Sequence, residues 1–184
     1  MAKQSYHHGD LRTAILAEAA TQVAERGADA ISLRELARSA GVSHAAPAHH
    51  FTDRRGLFTA LAAEGFTALA AALRQAQPEF IDAAKAYVRF ALDHPGHYKV
   101  MFDKALYDPA DPALRAAEAE AAAELNAGVA TLTDPGAQAD LPGAALAAWS
   151  LVHGFALLTL NNAVVAEADP IDTTERIARI LFSG

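Results

Sequence analysis

Between Ser32 and Phe51 the chain reads SLRELARSAGVSHAAPAHHF, two helix starts eleven residues apart with a glycine between them. Ser32 and Glu35 have the S-x-x-E spacing of a capping box, in which each side chain satisfies a backbone N–H at a helix start. Leu33, Leu36 and Ala37 fall on one face of the helix so begun. Gly41 can take the left-handed conformation that ends it, and Ser43 can cap a second helix two residues on. Two short helices joined by a tight, glycine-containing turn form the helix-turn-helix geometry that presents its second helix to a DNA major groove. Double-stranded DNA is the first partner this pattern points to.

The rest of the chain reads as helix too. Alanine supplies 47 of 184 residues, and alanine loses no side-chain entropy on entering a helix. No alternating strand pattern competes. Cysteine is absent, which excludes a disulfide framework and thiolate metal sites and fits a reducing cytoplasm. The opening MAKQSYHHGDLR has no apolar h-region. No stretch reads as a flanked membrane span, so no membrane partner is expected. Leu141 to Val165 comes nearest, but its Trp149, His153, Asn161 and Asn162 suit a buried helix better.

The formal charge of −7 argues superficially against nucleic acid. Residues 1–56, however, hold seven Lys/Arg against six Asp/Glu, while the remainder holds eight against sixteen. The acidity therefore belongs to the C-terminal part, and the N-terminal part can approach phosphates. An excess of one positive charge does not by itself imply DNA binding.

The spacing predicts a first helix from about Gly9 or Asp10 to Arg26, with Leu11, Ile15, Ala19 and Val23 repeating every four residues and Gly27 stopping it. Thr52 or Asp53 starts a helix with Leu57, Phe58, Leu61, Leu69 and Leu73 on its apolar face, broken at Pro78. Glu79 to Asp93 follows, with Phe80, Tyr87 and Phe90 near one face. His94-Pro95-Gly96 ends it, and a short apolar segment runs through Tyr98, Met101 and Phe102. An alanine-rich helix spans Asp111 to about Thr131, and Asp134-Pro135-Gly136 reads as a turn. The most hydrophobic helix covers roughly Pro142 to Val165, and Thr173 to Phe182 the last.

The capped helix, then A-x-x-A-G-V-S, then F-x-D-R-x-x-L, resembles the DNA-binding domain of tetracycline-repressor-like (TetR) regulators. Here it consists of Leu36, Ala37, Ala40, Gly41, Val42, Ser43, Phe51, Asp53, Arg54 and Leu57. Two departures stand out. Ala48 occupies a position where the family carries a phosphate-contacting tyrosine, so one anchor is missing. Pro47 stands where the family has an aliphatic residue; four residues after the Ser43 cap, it removes only the first helical hydrogen bond.

Reach assigns the DNA-facing candidates. His44 can contact a base edge or phosphate, and Ala45 and Ala46 admit the backbone closely, with methyls available to thymine. His49 and His50 face phosphate or groove, while Phe51 reads as core. By the resemblance, Arg54 binds phosphate beside the helix N-terminus. Ser32, Ser43, Arg34 and Thr52 complete the set, and Arg38 reads as solvated or paired.

His7-His8, His49-His50 and His94-x-x-His97 look superficially like metal ligands, but none has a carboxylate at a recurring helical offset. Neighbouring histidines on a helix also point about 100° apart. No metal or cofactor is expected. There is no phosphate loop, no G-x-S-x-G and no acid pair, so no enzyme is expected either. Trp149-x-x-x-His153-Gly154 stacks Trp149 and His153 on one helix face, and Gly154 permits close approach of another helix. This pattern resembles one TetR subgroup. Its plainer reading is a core histidine bonded to a neighbour beside a packing tryptophan.

The expectation is an all-α protein of about nine helices. An N-terminal three-helix helix-turn-helix domain covers residues 1–56, and an effector-binding and dimerisation domain covers 57–184. The resemblance implies a cytoplasmic homodimeric regulator, most simply a repressor released from a near-palindromic operator by a small apolar or aromatic effector. Phe80, Tyr87, Phe90, Met101, Phe102, Trp149, His153 and Phe155 are the effector candidates. The last two helices form the dimer interface through Leu157, Leu158, Leu160, Val164, Ile177, Ile180 and Leu181. The competing readings are a helical ligand-binding protein or enzyme without specific DNA binding, and a structural dimer module with no buried pocket.

Overall fold

A computed structural model describes residues 8–39, 41, 50–164 and 169–182, with side chains from Leu11 onward. Among the described residues it holds nine α-helices, one 3-10 turn and no strand. The chain divides into two compact units, one from Met1–Gly65 with Pro95–Arg115, the other from Phe66–His94 with Ala116–Gly184.

In the first unit, α1 (His8–Arg26) buries Ile15, Leu16, Ala19 and Val23 completely. Each large apolar side chain so buried is worth about 1.5–3 kcal/mol against exposure. Gly27 ends the helix at φ 80, its N–H donating to the Val23 carbonyl. A 3-10 turn, η1 (Ala28–Ala30), leads to α2 (Leu33–Ser39), which buries Leu36 and Ala37. Ser32 Oγ accepts the Glu35 N–H at 3.4 Å, one half of the expected capping box, while the Glu35 carboxylate lies 3.9 Å from Arg38. Gly41 adopts φ 67, as its place in the turn requires.

Asp53 caps α3 (Arg54–Ala76) by accepting the Gly56 N–H at 2.8 Å. The helix puts Leu57, Phe58 and Leu61 into the first unit's core, and Phe66, Leu69 and Leu73 into the second's. The apolar segment after His94 is itself a helix, α5 (Pro95–Met101), and α4 (Phe80–Asp93) precedes it. A proline at the first helical position gives up an N–H that would have no partner there, so Pro95 starts a helix where the sequence pattern predicts a stop. α5 packs on α1, with Tyr98, Val100 and Met101 buried.

In the second unit, α4 packs against α8 (Leu141–Leu160) and α9 (Pro170–Leu181). α6 (Pro112–Val129) contributes Ala117, Ala121 and Val129 to the core. Asp134-Pro135-Gly136, expected as a turn, opens a short helix, α7 (Pro135–Ala139), with Asp134 accepting the Ala137 N–H at 2.8 Å. α9 starts three residues earlier than expected, at Pro170, because Asp169 caps it. α8 ends at Leu160 rather than Val165, and Asn162 takes a left-handed φ of 52 just beyond.

α8 also departs from the expectation of a buried helix. By length and composition α3 and α8 could both cross a membrane, but 56 % of the apolar window of α3 is buried against 22 % of that of α8. Only Ala144, Ala148, Val152 and Ala156, one stripe at four-residue spacing, are buried. A helix apolar all round carries no amphipathic signal to say which face packs. Among the described residues nothing beyond its own helix lies within 4 Å of a Cβ built on Gly154, so the close approach that glycine permits is not seen there.

Candidate DNA-binding and effector sites

Ser43, His44, Ala45, Ala46 and His49 lie outside the described residues. Ser32, Arg34, Glu35 and Arg38 line one open groove at the start of α2. His50 and Thr52 line another, of about 440 Å³, with Arg12, Asp53, Arg55 and Asp108. Phe51 is core, as expected, and the Arg12 guanidinium lies 5.6 Å over its ring.

Arg54, expected as a phosphate ligand, is committed inside its own unit. Its Nη2 donates to the Ala28 carbonyl at 2.7 Å and lies 3.7 Å from Asp29, and its guanidinium sits 4.8 Å over the Phe58 ring. The carbonyl it holds belongs to η1, immediately before the Ser32 cap. A planar guanidinium can stack and donate at once, which a lysine cannot reproduce. Arg54 thus ties the entrance of α2 to the first turn of α3.

The effector candidates separate. Met101 and Phe102 belong to the first unit, where Met101 packs on Gly65 and Phe102 meets the Tyr98 ring edge-to-face at 5.0 Å. Phe80, Tyr87, Phe90, Trp149, His153 and Phe155 belong to the second unit. There Phe80 packs against Phe182 and Phe90 against His94, while Phe155 is half-buried.

Tyr87, Trp149 and His153 form one hydrogen-bonded group joining α4 to α8. Trp149 Nε1 donates to Tyr87 Oη at 3.1 Å, and Tyr87 Oη lies 3.1 Å from His153 Nδ1. An indole N–H can only donate, so the phenol oxygen accepts it, and the same oxygen is bonded to the imidazole Nδ1. Burial favours the neutral imidazole, lowering the His153 pKa.

Beside this group is a cavity of about 10 Å³ lined by Leu73, Phe80, Ala83, Ala84, Tyr87, Leu125, Ala148 and Val152. It has room for one water at most. Sequence reasoning found Phe80 and Tyr87 and missed the other six. Small and aliphatic residues at helical spacing look the same whether they line a cavity or fill a core.

The neutral His153 gives folding a pH dependence. The unfolded imidazole takes up its proton as the pH falls through about 6.5, and the folded one only lower. The folded state therefore has its full stability above that point and loses it as the pH drops below. Between about pH 7.5 and about pH 5.5 the thermal midpoint is expected to fall further in the native chain than in His153→Asn, whose Oδ1 stands where Nδ1 does and does not titrate. Equal falls would assign the titration to another group.

The profile described as "Bacterial regulatory proteins, tetR family" matches residues 15–61, and that described as "Tetracyclin repressor-like, C-terminal domain" matches residues 80–181, more than half the chain. The chain belongs to the TetR family. It is a DNA-binding transcription regulator with a helical C-terminal domain. Among solved structures it is similar to a protein of unknown function from Rhodococcus sp. RHA1, at 35 % identity and TM-score 0.77 over 98 % of this chain and 97 % of that one. A TetR-family regulatory protein from Rhodococcus RHA1 matches at 20 % identity and TM-score 0.74, covering 94 % and 95 %. The multidrug binding protein EbrR, complexed with imidazole, matches at 22 % identity and TM-score 0.62, covering 99 % and 97 %. The last two likenesses show the fold alone. Comparison with curated proteins yields no match.

Proposed function

We propose that this TetR-family regulator is a cytoplasmic homodimeric repressor, released from a near-palindromic operator by a small, largely apolar effector. The carrying observation is the match of both the DNA-binding and the C-terminal family profiles; the void of about 10 Å³ between α3, α4, α6 and α8 marks where an effector would have to open the core. An effector that fits only one arrangement of those helices shifts operator affinity by its differential affinity for the two states. The Trp149-x-x-x-His153-Gly154 motif, which marks one subgroup by resemblance, contributes two of the three hydrogen-bonded side chains.

Residues 1–56 form the DNA-binding domain in this reading, and 57–184 the effector-binding and dimerisation domain. Ser32, Arg34, Ser43, His44, Ala45, Ala46, His49, His50 and Thr52 supply the DNA face. A two-fold dimer sets its recognition helices about one DNA turn apart, hence the near-palindrome. The exposed apolar residues of α8 and α9 are the dimer surface: Leu146, Leu157, Leu158, Ile180 and Leu181 all face outward.

The test is a mobility shift on a duplex carrying the DNA upstream of the chain's own gene, across a range of salt. Saturable binding with a negative salt slope is expected, and no specific binding in any ligand state would remove the regulator reading. Arg54→Ala separates two roles for that residue. A phosphate ligand gives up affinity and about 0.9 of the slope of log K against log salt. The contact with the Ala28 carbonyl favours a positioning role, so affinity is expected to fall with the slope unchanged.

A further inference from the structure

Six arginines lie in residues 1–56, and three of them are committed within the unit. Arg26 Nη2 donates to Gln22, Arg38 pairs with Glu35 at 3.9 Å, and Arg54 holds the Ala28 carbonyl beside Asp29. Arg12, Arg34 and Arg55 make no ion pair among the described residues. Arg34 lies in the groove of α2 together with Glu35. Arg12 and Arg55 share the other groove, of about 440 Å³, with His50 and Thr52 at the end of the helix-turn-helix stretch.

Both residues are exposed. The Arg12 guanidinium is already held 5.6 Å over the buried Phe51 ring, so fixing it on a ligand costs less side-chain freedom. Arg55 sits in the first turn of α3, about 100° round the helix from Arg54. That rotation turns it away from the Ala28 carbonyl and the Phe58 ring that hold its neighbour. Three carboxylates also line the groove, and each spends an oxygen on its own turn: Asp53 accepts from Gly56, Asp108 from Ala110 and Asp111 from Leu114. The Asp111 N–H donates to the Asp108 carbonyl at 3.2 Å, and the Asp108 N–H to Thr59 Oγ1 at 2.9 Å. This pair therefore enters the groove one turn of α3 beyond Arg55. Asp53 alone stands among the basic residues.

We infer that Arg12 and Arg55 together grip one backbone phosphate of the bound DNA, in place of Arg54, the residue the family pattern puts there. This rests on the DNA-binding assignment and on neither the effector nor the repressor reading. Two guanidiniums without a protein counter-charge neutralise the phosphate and release its condensed counterions. Arg54 would first have to leave a carbonyl, a carboxylate and an aromatic face. Phosphate contacts set register and carry no sequence information, so the grip acts on operator and unrelated duplex alike.

The experiment measures binding by fluorescence anisotropy on two labelled duplexes, one carrying the DNA upstream of the chain's own gene and one unrelated, between about 50 and about 200 mM salt. Arg12→Gln and Arg55→Gln are each expected to weaken binding to both duplexes, with the thermal midpoint confirming that each variant folds. The double variant flattens the slope of log K against log salt by about 0.9 per bound subunit, the release from a single phosphate. Lysine at either position keeps the native slope, because a phosphate asks only for a point charge. Arg89→Gln, an exposed arginine of α4, leaves both affinity and slope unchanged. A native slope in the double variant overturns the inference, and flattening by Arg54→Gln instead returns the phosphate to Arg54. A loss of about 1.8 per subunit assigns the two arginines to separate phosphates and overturns the shared grip. A native protein that binds neither duplex removes the DNA-binding reading itself, which is a different failure.

Discussion

Gly96→Val lowers the thermal midpoint of the protein by roughly 6–12 °C, about 3 kcal/mol of overpacking at 2–4 °C per kcal/mol for a chain of this size. The geometry leaves little room for another outcome. A Cβ on Gly96 would stand 1.9 Å from the Ala20 carbonyl oxygen, 2.7 Å from its carbon and 3.0 Å from its Cα. These are backbone atoms inside α1, which cannot swing aside as a side-chain end can. α5 must instead lift from α1. That strips cover from Tyr98, Val100 and Met101, all buried, and breaks the bond from Lys99 Nζ to the Ala24 carbonyl at 3.0 Å. Gly96→Ala is the sharper test of sign. Helix propensity alone favours alanine over glycine by up to about 1 kcal/mol, whereas the contact distance requires a loss. A midpoint raised by alanine, measured by circular dichroism, would show that the seam is looser than described.

Leu158→Glu combined with Ile180→Glu is expected to convert the proposed dimer to a monomer, with the sedimenting mass falling from twice 19.3 kDa to 19.3 kDa. Both side chains are exposed in the single chain, Ile180 at 72 % of its surface, and they sit on the helices assigned to the interface. Each carboxylate brought into an apolar interface costs several kcal/mol, and a two-fold interface carries each substitution twice. The dimer is therefore weakened by at least about a thousandfold. Operator binding goes with it, since one helix-turn-helix module alone reads only a half-site. An unchanged mass by equilibrium sedimentation would move the interface elsewhere. Partition of the native chain into lipid vesicles, instead of a soluble dimer, would assign the bare face of α8 to a bilayer.

The helices were largely legible in the residues. Ile15, Ala19 and Val23 on α1, and Leu57, Phe58, Leu61, Leu69 and Leu73 on α3, are buried as their spacing implied. The misreadings share a cause. At His94-Pro95 and Asp134-Pro135 the sequence pattern alone reads as a break or turn, and at Asp169-Pro170 as a stretch ahead of the helix. In each place it is the first residue of a helix. Proline breaks a helix from inside and favours one from the first turn. Where an aspartate precedes it, the side chain accepts an N–H of that turn, so the pair is a start signal that a count of breakers misses.

The candidate sites were legible in part, for a different reason. Trp149 and His153 are four apart on one helix, so their stacking at 5.7 Å followed from helical geometry. Their shared partner, Tyr87, comes from α4, 62 and 66 residues away, and no local pattern names it. Arg54 shows the same limit. Its residue type suited a phosphate, and only its distance to the Ala28 carbonyl revealed the contact that occupies it.

Residue order alone determined that this chain is helical, where most of its helices begin and end, and that a capped helix and a left-handed glycine introduce a DNA-reading element. All of these depend on interactions within about five residues, which the sequence states directly. Tertiary structure alone decided that α5 joins the unit of α1, that Met101 and Phe102 part company with Tyr87, and that the most apolar helix leaves most of its surface bare. Those outcomes turn on which faces meet across long loops, and alanine-rich helices present faces too alike for periodicity to choose between them.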